Sequence, residues 1–237
     1  MSTKGVLVTR PGGQSDPLVE ALRARGVDVH VAPTVALEPI WFEPPDLSTY
    51  DWVVITSASG ARALLDRTPL RAGPRWAAVG PVTAAEMARL GVTTAAVPEK
   101  ARGVEVAGAM ADVQPLEGRR VLLARASAAS EDLPVVLREA GALVDELPVY
   151  RTVEGPESSR RTVNEALADE AVTVVVFASG SAVRGLLRLA ETDPRRLLAV
   201  TIGPATTAAA SEHGFRLGAE AVRATVEGLM EVIVDAA

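Results

Sequence analysis

The polar residues of this sequence gather where short apolar runs end. Six such places are Thr9-Arg10-Pro11-Gly12, Thr56-Ser57-Ala58-Ser59, Gly80-Pro81-Val82-Thr83, Ala124-Arg125-Ala126-Ser127, Ala178-Ser179-Gly180-Ser181 and Gly203-Pro204-Ala205-Thr206. A loop that leads into a helix leaves backbone N–H groups unpaired at a partly positive end, which suits carboxylates or phosphates without any lysine. Arg10, Thr56, Ser57, Ser59, Thr83, Arg125, Ser179, Ser181 and Thr206 are therefore the candidate ligands for an anionic substrate. Singly, each Ser or Thr also reads as a helix N-cap worth about 1 kcal/mol. Each arginine could equally pair with a local acid. Together they read as a site, because such loops all face the carboxyl edge of an open parallel sheet.

Other chemistries are poorly supplied. The chain has no cysteine, which excludes disulfides, thiolate catalysis and zinc-thiolate centres. His30 and His213 are the only imidazoles and read as ordinary surface residues, so a histidine-rich metal site is not expected. Neither a phosphate-binding P-loop, a dinucleotide glycine fingerprint nor a nucleophile elbow is present. A net charge of -6 offers no general basic surface to nucleic acid. The start, MSTKGVLVTRPGG, has no long apolar run, and no stretch approaches the roughly 20 apolar residues that span a bilayer. The expectation is a soluble cytoplasmic protein without membrane partners.

The elements that position the loops come in repeats. Val6–Pro33 aligns with Val121–Pro148 at a constant offset of 115, with ten of 28 pairs identical. The identities fall in a strand (Val6/Val121, Leu7/Leu122), at helical spacing (Leu18/Leu133, Leu22/Leu137), at a helix C-cap (Gly26/Gly141) and in a second strand (Val29/Val144). Val53–Leu65 aligns with Val175–Leu187 with seven of 13 identical, and Val79–Gly91 with Ile202–Gly214 with five of 13. Calling the first kind A and the second B, the order is A1-B1-A2-B2. Alternating strands and helices imply parallel α/β sheets, and 48% hydrophobic residues in 237 supply the core for one large or two small domains. Two tandem A-B domains and two domains with exchanged partners both remain open. Prolines 39, 44 and 45 forbid regular helix after the first A unit, and that stretch and VYRTVEGPESS after the second read as extended linkers. Tyr150 lies on the second of these, with either packing or a functional hydroxyl to offer.

In order and spacing, VLVTRP, ITSASGAR, VGPVTAAEMARLGV, LPVYRT, VFASGSAVRGLL and VTIGPATTAAASEHGF resemble the uroporphyrinogen-III synthase family nearly end to end. The resemblance implies two flavodoxin-like lobes, each a parallel sheet flanked by helices. Residues 1–34 and 155–237 would form one lobe and 50–147 the other; 35–49 and 148–154 would be linkers running as a two-stranded pair, with the substrate in the cleft. It also implies a cofactor-free lyase of tetrapyrrole biosynthesis, working as a monomer with transient contacts to neighbouring pathway enzymes. Hydroxymethylbilane would lose its terminal hydroxyl as water and close with its last ring inverted. By resemblance, Tyr150 is the proton donor, and Thr83, Thr206, Ser57, Ser59, Ser179 and Ser181 hold acetate and propionate groups, with Arg10 and Arg125 at basic positions. The sequence departs from the family where RASAAS lacks a glycine-rich form with a second arginine, leaving Ser127 and Ser130 without an implied role, and where Ser-Gly-Ser replaces Ser-Pro-Ser. The alternative is a non-catalytic ligand-binding or regulatory module of the same fold. A hinged sugar- or amino-acid-binding protein would call for an export signal and stacking aromatics, and aromatics are only 3%.

Overall fold

A computed structural model describes residues 5–11, 16–70, 73–100 and 103–236. In chain order its principal elements are β1 (Gly5–Val8), α1 (Pro17–Ala24), β2 (Asp28–Val31), β3 (Val35–Pro39), β4 (Trp52–Ile55), α2 (Ala58–Leu65), β5 (Arg75–Ala78), α3 (Pro81–Arg89), α4 (Gly103–Val113), β6 (Arg120–Ala126), α5 (Asp132–Glu139), β7 (Leu143–Glu154), α6 (Arg160–Ala168), β8 (Val172–Phe177), α7 (Gly180–Leu189), β9 (Leu198–Thr201), α8 (Pro204–Glu212), β10 (Arg216–Glu220) and α9 (Val226–Ala236). They divide into two compact units, Met1–Ala36 with Val153–Ala237, and Leu37–Thr152.

The first unit joins A1 to B2. Its strand order is β10-β9-β8-β1-β2, with parallel pairing throughout. The second joins B1 to A2 in the order β3-β7-β6-β4-β5, where β5-β4-β6-β7 is parallel. Ala96 adds one parallel bridge beyond β5, to Ala77. The two sheets therefore share one flavodoxin-like order, and exchange of repeat partners produces it.

Burial explains why the strands read as continuous apolar runs. β1 (GVLV) and β4 (WVVI) are buried at all four positions, because helices cover both faces of a parallel sheet. In the first unit Leu186 and Val163 pack one face and Leu18, Leu22 and Ile233 the other. In the second, Leu64 and Met87 cover one face and Met110 and Leu137 the other. Gly26 and Gly141 end α1 and α5 at φ +76° and +83°, a left-handed backbone that disfavours side chains.

The proline-bearing stretch after A1 forms β3 and then runs extended, with a single 3-10 turn at Leu47–Thr49. β3 borders the 12-residue β7, and the Ile40 N–H donates to the Val149 carbonyl at 3.0 Å. One asymmetry follows. The first unit packs α6 beside α7, whereas the equivalent stretch before β4 makes no α-helix.

Candidate functional site

Parallel pairing puts the carboxyl ends of each unit's strands on one edge, and the predicted loops follow them. In the second unit β4 ends at Ile55, and Ser57 caps α2, its Oγ accepting from the Gly60 N–H at 3.0 Å. The same oxygen lies 3.0 Å from the Tyr150 hydroxyl. Tyr150 gets there because β7 follows β6 to its last residue, where Tyr150 pairs with Ala126. Gly60 leaves the space, since a Cβ there would sit 3.2 Å from Ser57 Oγ and 3.7 Å from Tyr150 Cε1. Thr56 Oγ1 makes a long 3.4 Å bond to the Ala124 carbonyl. Ser59 and Tyr150 share the wall of a cavity of about 770 Å³, with Leu37, Pro39, Leu65 and Arg62, all within this unit.

In the first unit Ser179 caps α7, accepting from the Ala182 N–H at 3.3 Å, and its Oγ lies 2.8 Å from Ser181 Oγ. Thr83 and Thr206 occupy the same place in α3 and α8, three residues beyond Gly80 and Gly203, which provide no side-chain cap. They are only 7% and 6% exposed, and among the described residues neither hydroxyl has a hydrogen-bond partner. Sequence reading missed one neighbouring group. Thr201 Oγ1, at the end of β9, is 2.6 Å from Thr207 Oγ1, and Thr207 donates to a carboxylate oxygen of Glu220 at the end of β10.

Four arginines near these rims are engaged within their own units. Arg10 pairs with Asp16 at 2.8 Å, and Asp16 also caps α1 through the Leu18 N–H. Arg125 is buried; it donates to Glu146 at 2.5 Å, to the Ser130 carbonyl at 2.7 Å and to Glu131 at 3.3 Å. Arg62 pairs with Glu86 at 2.7 Å and Arg184 with Glu154 at 2.6 Å. The hydrogen bonds to Glu154 raise the Arg184 guanidinium above its ordinary pKa, against the opposing effect of burial. Gly12 of the first loop lies outside the described residues.

His30 stands on β2 with carboxylates of Asp28 and Asp169 at 3.6 and 3.4 Å, and His213 ends α8. Among the described residues no group of three or more His, Asp or Glu side chains could hold a metal ion, and no helix is long and apolar enough to cross a membrane.

The comparisons with known proteins agree with this fold. A family model described as Uroporphyrinogen-III synthase HemD matches residues 16–231. The uroporphyrinogen-III synthase of Chlorobaculum parvum is 30% identical over 75% of this chain and 76% of its own length. That of Synechococcus elongatus is 27% identical over 97% of this chain and 94% of its own. The porphyrin biosynthesis protein HemD of Ruminiclostridium josui is 27% identical over 97% of this chain, which spans about half, 48%, of that protein. Among solved structures, the Helicobacter pylori uroporphyrinogen-III synthetase superposes with a TM-score of 0.70 at 18% identity, covering 98% of this chain and 99% of that one. A mutant Thermus thermophilus uroporphyrinogen III synthase gives 0.60 at 17%, covering 98% of each. At those identities the two structures speak for the fold.

Proposed function

The chain belongs to the uroporphyrinogen-III synthase family, and from that premise we propose that it cyclises hydroxymethylbilane to uroporphyrinogen III. In chemical class it would be a lyase needing no cofactor, a cytoplasmic monomer in contact with one small-molecule substrate and, transiently, with neighbouring pathway enzymes. The observation that carries the reading is the contact between Ser57 and Tyr150 beside a cavity, on a rim otherwise built of amides and hydroxyls. Thr83, Thr206, Ser59, Ser179 and Ser181 hold the substrate's acetate and propionate groups, with Thr56, which bonds the Ala124 carbonyl, beside Ser59 on the same rim. We assign Arg10 and Arg125 to holding their loops, through Asp16 and Glu146.

Ionisation begins as the C–O bond of the hydroxymethyl group breaks and the oxygen leaves as water, taking a proton from the Tyr150 hydroxyl directly or through one water. Ser57 Oγ accepts from Gly60 and can give its own hydrogen to the Tyr150 oxygen, either hydroxyl being able to donate across that 3.0 Å contact. The phenol hydrogen is then free to face the leaving group, and the phenolate that forms keeps a donor. The resulting azafulvene cation is attacked by the substituted carbon of the terminal ring. The spiro intermediate fragments and recloses through that ring's free carbon with the ring inverted; the proton this carbon then loses restores the pyrrole and, in net, the Tyr150 phenol. Uncatalysed closure takes the nearer free position and gives the type I isomer, so the protein acts chiefly by fixing how the chain is folded. The test supplies freshly made hydroxymethylbilane and resolves the product isomers. The type III macrocycle is expected; type I alone in the presence of the protein would remove the assignment.

A further inference from the structure

The Thr201–Thr207–Glu220 chain stands where the second unit has none. At the offset of 123 that relates Val79–Gly91 to Ile202–Gly214, the counterparts of these three residues are Ala78, Ala84 and Val97. The register agrees, since Ala77 bridges Ala96 as Val200 pairs with Ala219. Ala78, Ala84 and Val97 belong to an apolar cluster with Met87. The fold therefore does not require a carboxylate at this position.

What differs is the grip on the helix. Each helix buries two residues, but α3 is anchored by a fully buried Met87 where α8 offers only the smaller Ala210. Both helices start on a glycine without a side-chain cap. The first turn of α8 is tied down instead by Thr207, whose proton goes to Glu220 and whose oxygen is within 2.6 Å of Thr201. A carboxylate only accepts hydrogen bonds, which sets the order of donors from Thr201 to Thr207 to Glu220.

We propose that Glu220 is a positioning residue for the cyclisation: acting through Thr207, it fixes the first turn of α8 so that the adjacent Thr206 hydroxyl meets a substrate carboxylate. This rests on the cyclisation reading above. It separates the roles of two neighbouring threonines, Thr206 facing the ligand and Thr207 facing the scaffold.

Steady-state kinetics on hydroxymethylbilane, with circular dichroism and thermal melting of each variant, test it. Glu220→Ala and Thr207→Val are each expected to raise KM about tenfold, the size of one lost hydrogen bond, with kcat little changed. The double variant should be no worse than either single, because the two residues form one chain. Glu220→Gln keeps an acceptor for Thr207 and should restore KM. A Gln variant as impaired as the Ala variant would overturn the proposal, since Thr207 would still have its acceptor, and so would additive singles, which would show that Glu220 does not act through Thr207. A wild-type KM in Glu220→Ala would equally overturn the proposal. If Glu220→Ala fails to fold, Thr207→Val and Glu220→Gln still decide. Failure of the wild-type protein to give the type III isomer would count against the cyclisation reading instead.

Discussion

Ser57 Oγ and the Tyr150 hydroxyl lie 3.0 Å apart although 93 positions separate them in the chain. One strand of the A2 repeat thus reaches the cap of a helix from B1. The Ser57 oxygen serves the Gly60 N–H as well, so one hydroxyl both starts α2 and orients the phenol. Tyr150→Phe keeps the ring and removes only the oxygen. Turnover should fall while the melting curve stays in place, and unchanged turnover would take Tyr150 out of the mechanism. Ser57→Ala should in addition lose about 1 kcal/mol of stability as an N-cap. The two substitutions together should slow turnover by less than the product of their single effects.

Arg125 separates a scaffold role from a ligand role. Its guanidinium is buried and bonded to Glu146, Glu131 and the Ser130 carbonyl. Arg125→Met removes the partner of a partly buried carboxylate and frees the loop before α5. Glu146 keeps Arg138 at 2.8 Å, so the loss in urea unfolding should be about 2–3 kcal/mol, at the lower end for breaking a buried pair. A variant of unchanged stability with weakened substrate binding would show that Arg125 reaches the ligand.

The repeat made the composition of the two sheets readable, because strand and helix identities recur at fixed offsets, and it placed every rim loop at a strand end. Which A joins which B was not readable from the residues, since a constant offset is indifferent to how copies pair; the family resemblance supplied it. The local use of Arg125 was hidden because Glu146 lies 21 residues away on the neighbouring strand. Glu220 was hidden for a related reason: β9 and β10 are adjacent only once folded. A signal existed, in three aligned positions that are apolar in B1 and polar in B2. The cavity beside Tyr150 had no signature, since β3, α2 and β7, distant in sequence, line it together only once folded.

Gly185 tests the packing of the first unit. It lies on α7, and a Cβ there would come 1.9 Å from the Thr34 carbonyl oxygen and 3.0 Å from the Gly155 nitrogen, both backbone atoms that cannot step aside. Thr34 is also held by its own bond to the Ala182 carbonyl at 2.8 Å. In an exposed helix Gly→Ala would gain up to about 1 kcal/mol. Here overpacking should win, and Gly185→Ala should lose about 1–3 kcal/mol in denaturant unfolding. A stabilised variant would mean that α7 does not pack closely against the backbone at Thr34.

The pH dependence of stability should carry a contribution from Asp51, at the head of β4. The backbone N–H of Arg120, bonded at 2.9 Å, holds its carboxyl below the ordinary value of 3.8; burial opposes this, and the Arg119 guanidinium at 3.0 Å adds to the lowering. A depressed carboxylate stabilises the fold above its unfolded pKa and loses that contribution as pH falls through the folded one. Because the side chain is about a third exposed, solvent screening limits the effect to about 1 kcal/mol. Unfolding free energies of the protein and of Asp51→Asn should therefore differ by a constant amount between pH 5 and 8, on the order of that figure. The two should converge as the solution is acidified below about pH 4. Added salt should reduce the gap only in part, because its largest cause is a backbone bond and not a second charge. A gap that widened on acidification would give the shift the opposite sign and remove Asp51 as an anchor between β4 and β6.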